Sequence, residues 1–173
     1  MNIFKKVLIG LLIVTALIFI AALVAPKKFH AKGETTINKP ISEVYNYVKS
    51  IKTQEEYSIW FEEDPNIIKN YYGKDGEIGS GLKWQSEIVG NGEQKIKNLS
   101  ENKKVEIDLY LMDNSKANHL VYEMDELSPN KTKLTIEVDG ETPIPFNLMS
   151  LMYDMNASFQ QNADNLKKVL EDK

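Results

Sequence analysis

The chain has 173 residues, a formal charge of −4, no cysteine and no arginine. Without cysteine there is no disulfide, thiolate metal site, cysteine nucleophile or lipid-modified cysteine, and two histidines, His30 and His119, are too few for a three-imidazole zinc site. An acidic, arginine-free chain also lacks the guanidinium forks and positive surface on which nucleic-acid binding draws.

In chain order, the first element is an uncharged apolar run of 19 residues from Val7 to Ala25. As a helix rising ~1.5 Å per residue it reaches roughly 28 Å, close to the ~30 Å hydrocarbon thickness of a bilayer. A core helix of this length would show a polar face, and this one does not. Signal cleavage is disfavoured because Leu23 stands third before a cut after Ala25 and Pro26 would follow it. The run predicts a retained, single-pass anchor over residues 1–28. Lys5 and Lys6 precede it and Lys27, Lys28 and Lys32 follow it, so the positive-inside rule leaves the side of the membrane open.

Residues 29–173 are expected to form one domain, and the 141 residues from Gly33 onward suffice for a core with a cavity. Phe29 to Asn38 reads as a strand. Pro40 falls in the first turn of a helix whose Ile41, Val44, Tyr45 and Val48 share one face. Thr53-Gln-Glu-Glu56 has capping-box spacing and announces a second short helix carrying Tyr57 and Trp60 and ending before Pro65. About six alternating segments then follow between turn clusters at Gly73–Gly76, Gly79–Gly81, Gly90–Gly92, Asp113–Ser115 and Ser128–Asn130. Val105, Ile107, Leu109 and Leu111 share one strand face, as do Leu120, Tyr122 and Met124, and Leu134, Ile136 and Val138. Such alternation predicts an antiparallel sheet with one buried side. After Pro143 and Pro145 the period becomes helical, and Leu148, Met152, Met155, Phe159, Leu166 and Val169 or Leu170 predict one long final helix.

This order is accompanied by Thr36-Ile-Asn-Lys-Pro-Ile-Ser-Glu-Val-Tyr45, Tyr57-Ser-Ile-Trp60, Asp64-Pro65-Asn66, Gly79-Ser-Gly-Leu-Lys-Trp84, Pro145-Phe-Asn-Leu-Met149 and Asn165-Leu-Lys-Lys-Val-Leu170. Together they resemble the START-related helix-grip superfamily (SRPBCC), and within it the polyketide cyclase/dehydrase-like branch. The apolar N-terminal run with its Pro-Lys-Lys exit is similar to a bacterial subgroup with a membrane anchor. The resemblance implies an α+β fold: a curved antiparallel sheet of about seven strands wrapped on a long C-terminal helix, with two short helices after the first strand. It also implies an apolar cavity, while superfamily functions range over lipid carriage, cyclisation, dehydration and chaperone activation.

A cavity between sheet and final helix would be lined by Trp60, Trp84, Leu109, Tyr122, Met152, Met155 and Phe159. Large apolar walls with a few polar tips suit a lipophilic ligand, and a tyrosine hydroxyl or indole N–H could orient its polar end. The competing reading is that the same residues fill a dry core. For catalysis, Glu62, Glu63 and Asp64 read most simply as a solvated cluster. Asp154 lies off the apolar stripe, and His119 points to the opposite strand face, so no catalytic residue, metal ligand or cofactor is nominated. Three functions follow: a membrane-tethered binding protein for a lipophilic small molecule, a cyclase- or dehydrase-type enzyme, or an interaction module assisting a membrane complex. The expected partners are a bilayer, through the helix, and a hydrophobic small molecule, with no nucleic acid; the oligomeric state is open.

Overall fold

The computed structural model describes residues 3–111, 115–151 and 153–173. The chain divides into two compact units, Met1–Phe29 with Glu141–Asp154, and His30–Gly140 with Met155–Lys173.

The first unit is built on helix α1, Ile3–Val24, which is long and apolar enough to cross a membrane. Its leucine, isoleucine, valine and phenylalanine side chains are exposed, and Ala22 is its one buried residue among those described. The helix ends where it must. Pro26 has no N–H to offer the carbonyl four residues back, at Ala22. The amide of the fully buried Asn147 supplies that donor instead, its Nδ2 donating to the Ala22 carbonyl at 2.8 Å and to the Ala25 carbonyl at 3.1 Å. Asn147 lies in a 3-10 helix, Phe146–Leu151.

The second unit carries the expected α+β architecture. Strand β1 spans Lys28–Ile37, and helix α2 spans Ile41–Val48 with Pro40 at its N-cap, one position earlier than the sequence suggested. The capping box does not form. Lys52–Glu56 is a 3-10 helix without a side-chain cap, because the Thr53 hydroxyl donates backwards to the carbonyls of Tyr47 and Ser50. Helix α3 then covers Ile59–Glu63. Six strands follow: β2 Ile68–Tyr72, β3 Gly81–Gln85, β4 Gly92–Ser100, β5 Lys104–Leu111, β6 Asn118–Ser128 and β7 Lys131–Glu141. The turn expected at Asp113–Ser115 falls mostly outside the described residues.

The seven strands form one sheet in the order β1-β7-β6-β5-β4-β3-β2, so the first strand pairs with the last. From β2 to β7 every neighbouring pair is antiparallel. Bulges between Ile96 and Asn98 and between Glu126 and Ser128 bend the strands they interrupt. The inner face carries Leu82, Ile96, Val105, Ile107, Leu120, Tyr122, Met124, Ile136 and Val138, all buried.

The final helix is shorter than its apolar stripe implied. Helix α4 runs Met155–Glu171, and Leu148 belongs to the preceding 3-10 helix, while Met152 lies outside the described residues. Asp154, a residue type that favours helix starts, stands immediately before α4 and marks the restart. Along β1, α4 replaces a neighbouring strand. Asn156 Oδ1 accepts from Lys32 N at 2.9 Å, Gln160 Oε1 from Glu34 N at 3.1 Å, and Glu171 Oε1 from Asn38 N at 2.7 Å. Gln160 Nε2 donates to the Glu34 carbonyl, and Lys167 Nζ to that of Thr36. The approach requires a glycine: a Cβ on Gly33 would stand 2.2 Å from the backbone oxygen of Phe159.

Candidate functional site

The inner face turns polar at one buried point. Tyr122, on β6, brings its hydroxyl to 3.2 Å from that of Tyr57, in the residue gap between the first 3-10 helix and α3. Both side chains are buried, Tyr57 at 2% exposure and Tyr122 at 5%. Loss of water pushes the Tyr122 hydroxyl up to about 12, the bond from Tyr57 opposing this, and holds the Tyr57 hydroxyl well above its ordinary value. At neutral pH the pair is therefore two uncharged hydroxyls. One hydrogen joins them, and the accepting hydroxyl keeps its own hydrogen to donate to a third atom.

Helix α4 fixes this pair from the other side. Asn165 Nδ2 donates to the Tyr57 carbonyl at 3.1 Å, and Asn162 Oδ1 accepts from Ile59 N at 3.1 Å. Asn162, 3% exposed, also donates to the carbonyl of Ser158 one turn earlier. A second neutral pair lies on the sheet side, where Gln94 Nε2 donates to Gln54 Oε1 at 2.7 Å. Gln54 is buried, and its own amide nitrogen has no partner among the described residues.

The structure separates the residues nominated from sequence into two groups. Trp60 meets Phe159 edge to face, with ring centroids 5.5 Å apart, and Tyr57 and Ile59, beside Trp60 in sequence, are tied to α4 and Tyr122. Met155 is half-buried at the start of α4, one turn before Phe159. Trp84 instead packs on the cluster of Ile51, Leu82 and Ile96 with Phe61, Tyr71 and Leu99. Its ring lies over Gly92, where a Cβ would approach it to 2.2 Å. Leu109 sits in the cross-strand row with Gln94 and Asn118, whereas Tyr122 is paired with Val105. Four residues separate Leu109 from Val105 on β5, a distance of about 13 Å along a strand. Leu109 thus lines the Gln94 end of the face and Tyr122 the other end.

Sequence reasoning missed Gln54, Gln94, Ser158 and Asn162 as inward polar groups, and gave Tyr57 no role. A signal existed for Asn162. It stands three residues after Phe159 and four before Leu166, so it occupies the apolar stripe itself.

The acidic loop needs one correction. Glu62 and Glu63 are exposed, but Asp64 is 4% exposed and not part of a solvated cluster. Its carboxylate accepts from Ser86 Oγ at 2.5 Å and from Asn66 N at 2.9 Å, which closes the loop after α3. His119 faces away from Tyr122, with Nε2 3.4 Å from Glu106 on the outer face. That face also carries Lys97–Asp108, Lys104–Glu123 and Lys83–Glu93 across strands. On β1, Glu34 bridges Lys32 and Lys133, whose bonds hold its carboxyl down at about 2.

No protein-family model matches the chain, and no curated protein matches it. Solved structures do. The Aha1 dimer from Colwellia psychrerythraea aligns at 14% identity and a TM-score of 0.58, over 83% of this chain and 96% of that one. A Thalictrum norcoclaurine synthase point mutant, in complex with a transition-state analogue, aligns at 8% identity and a TM-score of 0.63, over 84% and 95%. Bacillus halodurans protein BH1534 aligns at 15% identity and a TM-score of 0.60, over 84% and 100%. Identities this low speak to architecture alone, and the architecture is the helix-grip fold.

Proposed function

We propose that this helix-grip chain is a membrane-tethered binding protein for a lipophilic small molecule, held between the inner sheet face and α4. In this reading residues 1–28 anchor the chain and residues 29–173 form the binding domain. The observation that carries the proposal is the buried, uncharged Tyr57–Tyr122 hydroxyl pair among apolar walls. It offers one spare hydrogen-bond donor and no charge, which suits the carbonyl or hydroxyl end of an otherwise apolar molecule. Trp60, Phe159 and Met155 would enclose the body of the ligand near that end, and Trp84 and Leu109 the far end. A tether favours such a role, since it raises the effective concentration of a binding site near a bilayer in which apolar ligands partition.

The test is titration of the full chain, in lipid nanodiscs, with a fluorescent fatty acid, together with native mass spectrometry of the released protein. Saturable binding is expected, weakened about tenfold in Tyr122→Phe, the equivalent of one lost buried hydrogen bond. Absence of both saturable binding and a co-purified lipid would sink the proposal.

The same hydroxyl pair favours one second reading. The pair's one spare hydrogen, donated to a carbonyl oxygen with the second hydroxyl bonded behind it, would polarise that carbonyl, as a cyclase or dehydrase requires. Because burial keeps both protonated, they would act as acids rather than bases at neutral pH. Turnover of a carbonyl-bearing substrate that is lost in Tyr57→Phe, with binding retained, would favour this reading over simple carriage.

A further inference from the structure

We infer that residues 143–148, with Tyr153, form a second membrane contact, lying in the interfacial layer of the bilayer beside the exit of α1. The inference rests on the anchor reading above and concerns the first unit alone.

Its geometric basis is Asn147. A membrane-spanning helix cannot leave carbonyls unpaired at the edge of the hydrocarbon, and Pro26 removes the donor that the Ala22 carbonyl would have met. Asn147, fully buried, replaces it with two amide donations, to Ala22 and to Ala25. The Asn147 N–H in turn donates to the Pro143 carbonyl at 3.1 Å, and Thr142 N donates to the Lys27 carbonyl at 2.8 Å. The start of this segment is thus pinned to the last turn of α1 and to the lysine that follows it. The segment sits at the depth where the helix leaves the bilayer.

Its chemistry fits that depth. Residues 143–153 include no charged side chain. Phe146 is 45% exposed and Tyr153 42% exposed, two aromatic rings presented outward. Aromatic rings, tyrosine above all, are favoured at the membrane–water interface, where an apolar body and a polar tip are both accommodated. The charges resume at once on either side, with Glu141 before the segment and Asp154 after it. This marks out one short uncharged stretch, bounded by residues that belong in water.

The natural absence of cysteine makes the test direct. Single-cysteine variants Phe146→Cys, Tyr153→Cys, Leu12→Cys and Lys97→Cys of the full chain would carry an environment-sensitive fluorophore. They would be reconstituted in phosphatidylcholine–phosphatidylglycerol vesicles containing doxyl lipids, with the quencher near the headgroup or deep in the chains. Leu12 should be quenched from deep positions, and residues 146 and 153 from shallow ones, at least about threefold more than Lys97 on the outer face of β4. If Leu12 is quenched but 146 and 153 match Lys97, the inference is overturned and the anchor stands. If Leu12 itself escapes quenching, the anchor reading fails and the inference falls with it.

Discussion

The two faces of the sheet solve the same problem of polar side chains in opposite ways. Outside, polarity is charged: Lys97–Asp108, Lys104–Glu123 and Glu34–Lys133 are paired across strands, Lys32 joins Glu34 along β1, and all remain partly in water. Inside, the buried polar groups named above are neutral: the hydroxyls of Tyr57 and Tyr122 and the amides of Gln54, Gln94 and Asn162. The difference follows from desolvation. An exposed ion pair is worth only about 0–1 kcal/mol, so charge outside costs and gains little. A buried hydroxyl or amide left without a partner costs ~1–3 kcal/mol, so these inner groups are tied to one another or to backbone, the Gln54 amide nitrogen excepted. The outer face meets water with paired charges, and the inner face meets α4 with neutral groups.

The largest expected effect breaks the seat of α4 on that sheet. Gly33→Ala would drive a methyl into the Phe159 backbone, where no side chain can yield. A loss of about 3 kcal/mol or more is expected, an overpacking cost at the upper end of its range. That corresponds to a fall in Tm of roughly 10 °C for a chain of this size, read by circular dichroism. An unchanged Tm would mean that α4 is not seated on β1 as described.

The next effect sharpens the inner face. Tyr57→Phe or Tyr122→Phe each strands a buried hydroxyl and should cost ~1–3 kcal/mol in urea unfolding. The double variant removes both groups and should cost clearly less than the sum of the two. Strict additivity would show that the hydroxyls do not interact.

The smallest effect lies outside. Asp108→Ala should lower stability by less than about 1 kcal/mol, and the difference should vanish in molar salt. Glu34 gives the same face a pH signature. Its folded carboxyl lies at about 2 against 4.5 for the free group, so its contribution is present above pH 4.5 and is lost as pH falls toward 2. With 39% of the side chain exposed, water screens the effect to below about 1 kcal/mol. Glu34→Gln should flatten the acid limb of the stability profile over that interval; an unchanged limb would assign it to other carboxylates.

The same contrast explains what the sequence made legible. Alternation marks a face, so Val105, Ile107, Leu120 and Tyr122 were readable as inward and His119 as outward. Helical period likewise placed Phe159 and Leu166 against the core. What periodicity does not carry is pairing between distant segments. The Tyr57–Tyr122 bond joins residues 65 apart, and β1 finds its partner in the last strand. Local competition also hid some boundaries. Thr53 could have capped a helix at Glu56, yet its hydroxyl had nearer carbonyls to serve. Gln54, Gln94 and Asn162 were passed over because glutamine and asparagine are ordinarily surface residues.

The side-chain bonds between α4 and β1 bear on how a guest could enter. Asn156, Gln160, Lys167 and Glu171 stand in for an eighth strand, so lifting α4 would uncover a row of backbone groups at once. It would also open an edge to pairing with another chain. Helix α3 is held more lightly: it has five residues, and it and the preceding Tyr57 are tied to α4 by the amides of Asn162 and Asn165. Hydrogen exchange should therefore find the N–H groups of Lys32, Glu34 and Asn38 slow and that of Ile59 faster, which would make the Tyr57–Trp60 corner the doorway and α4 its fixed post.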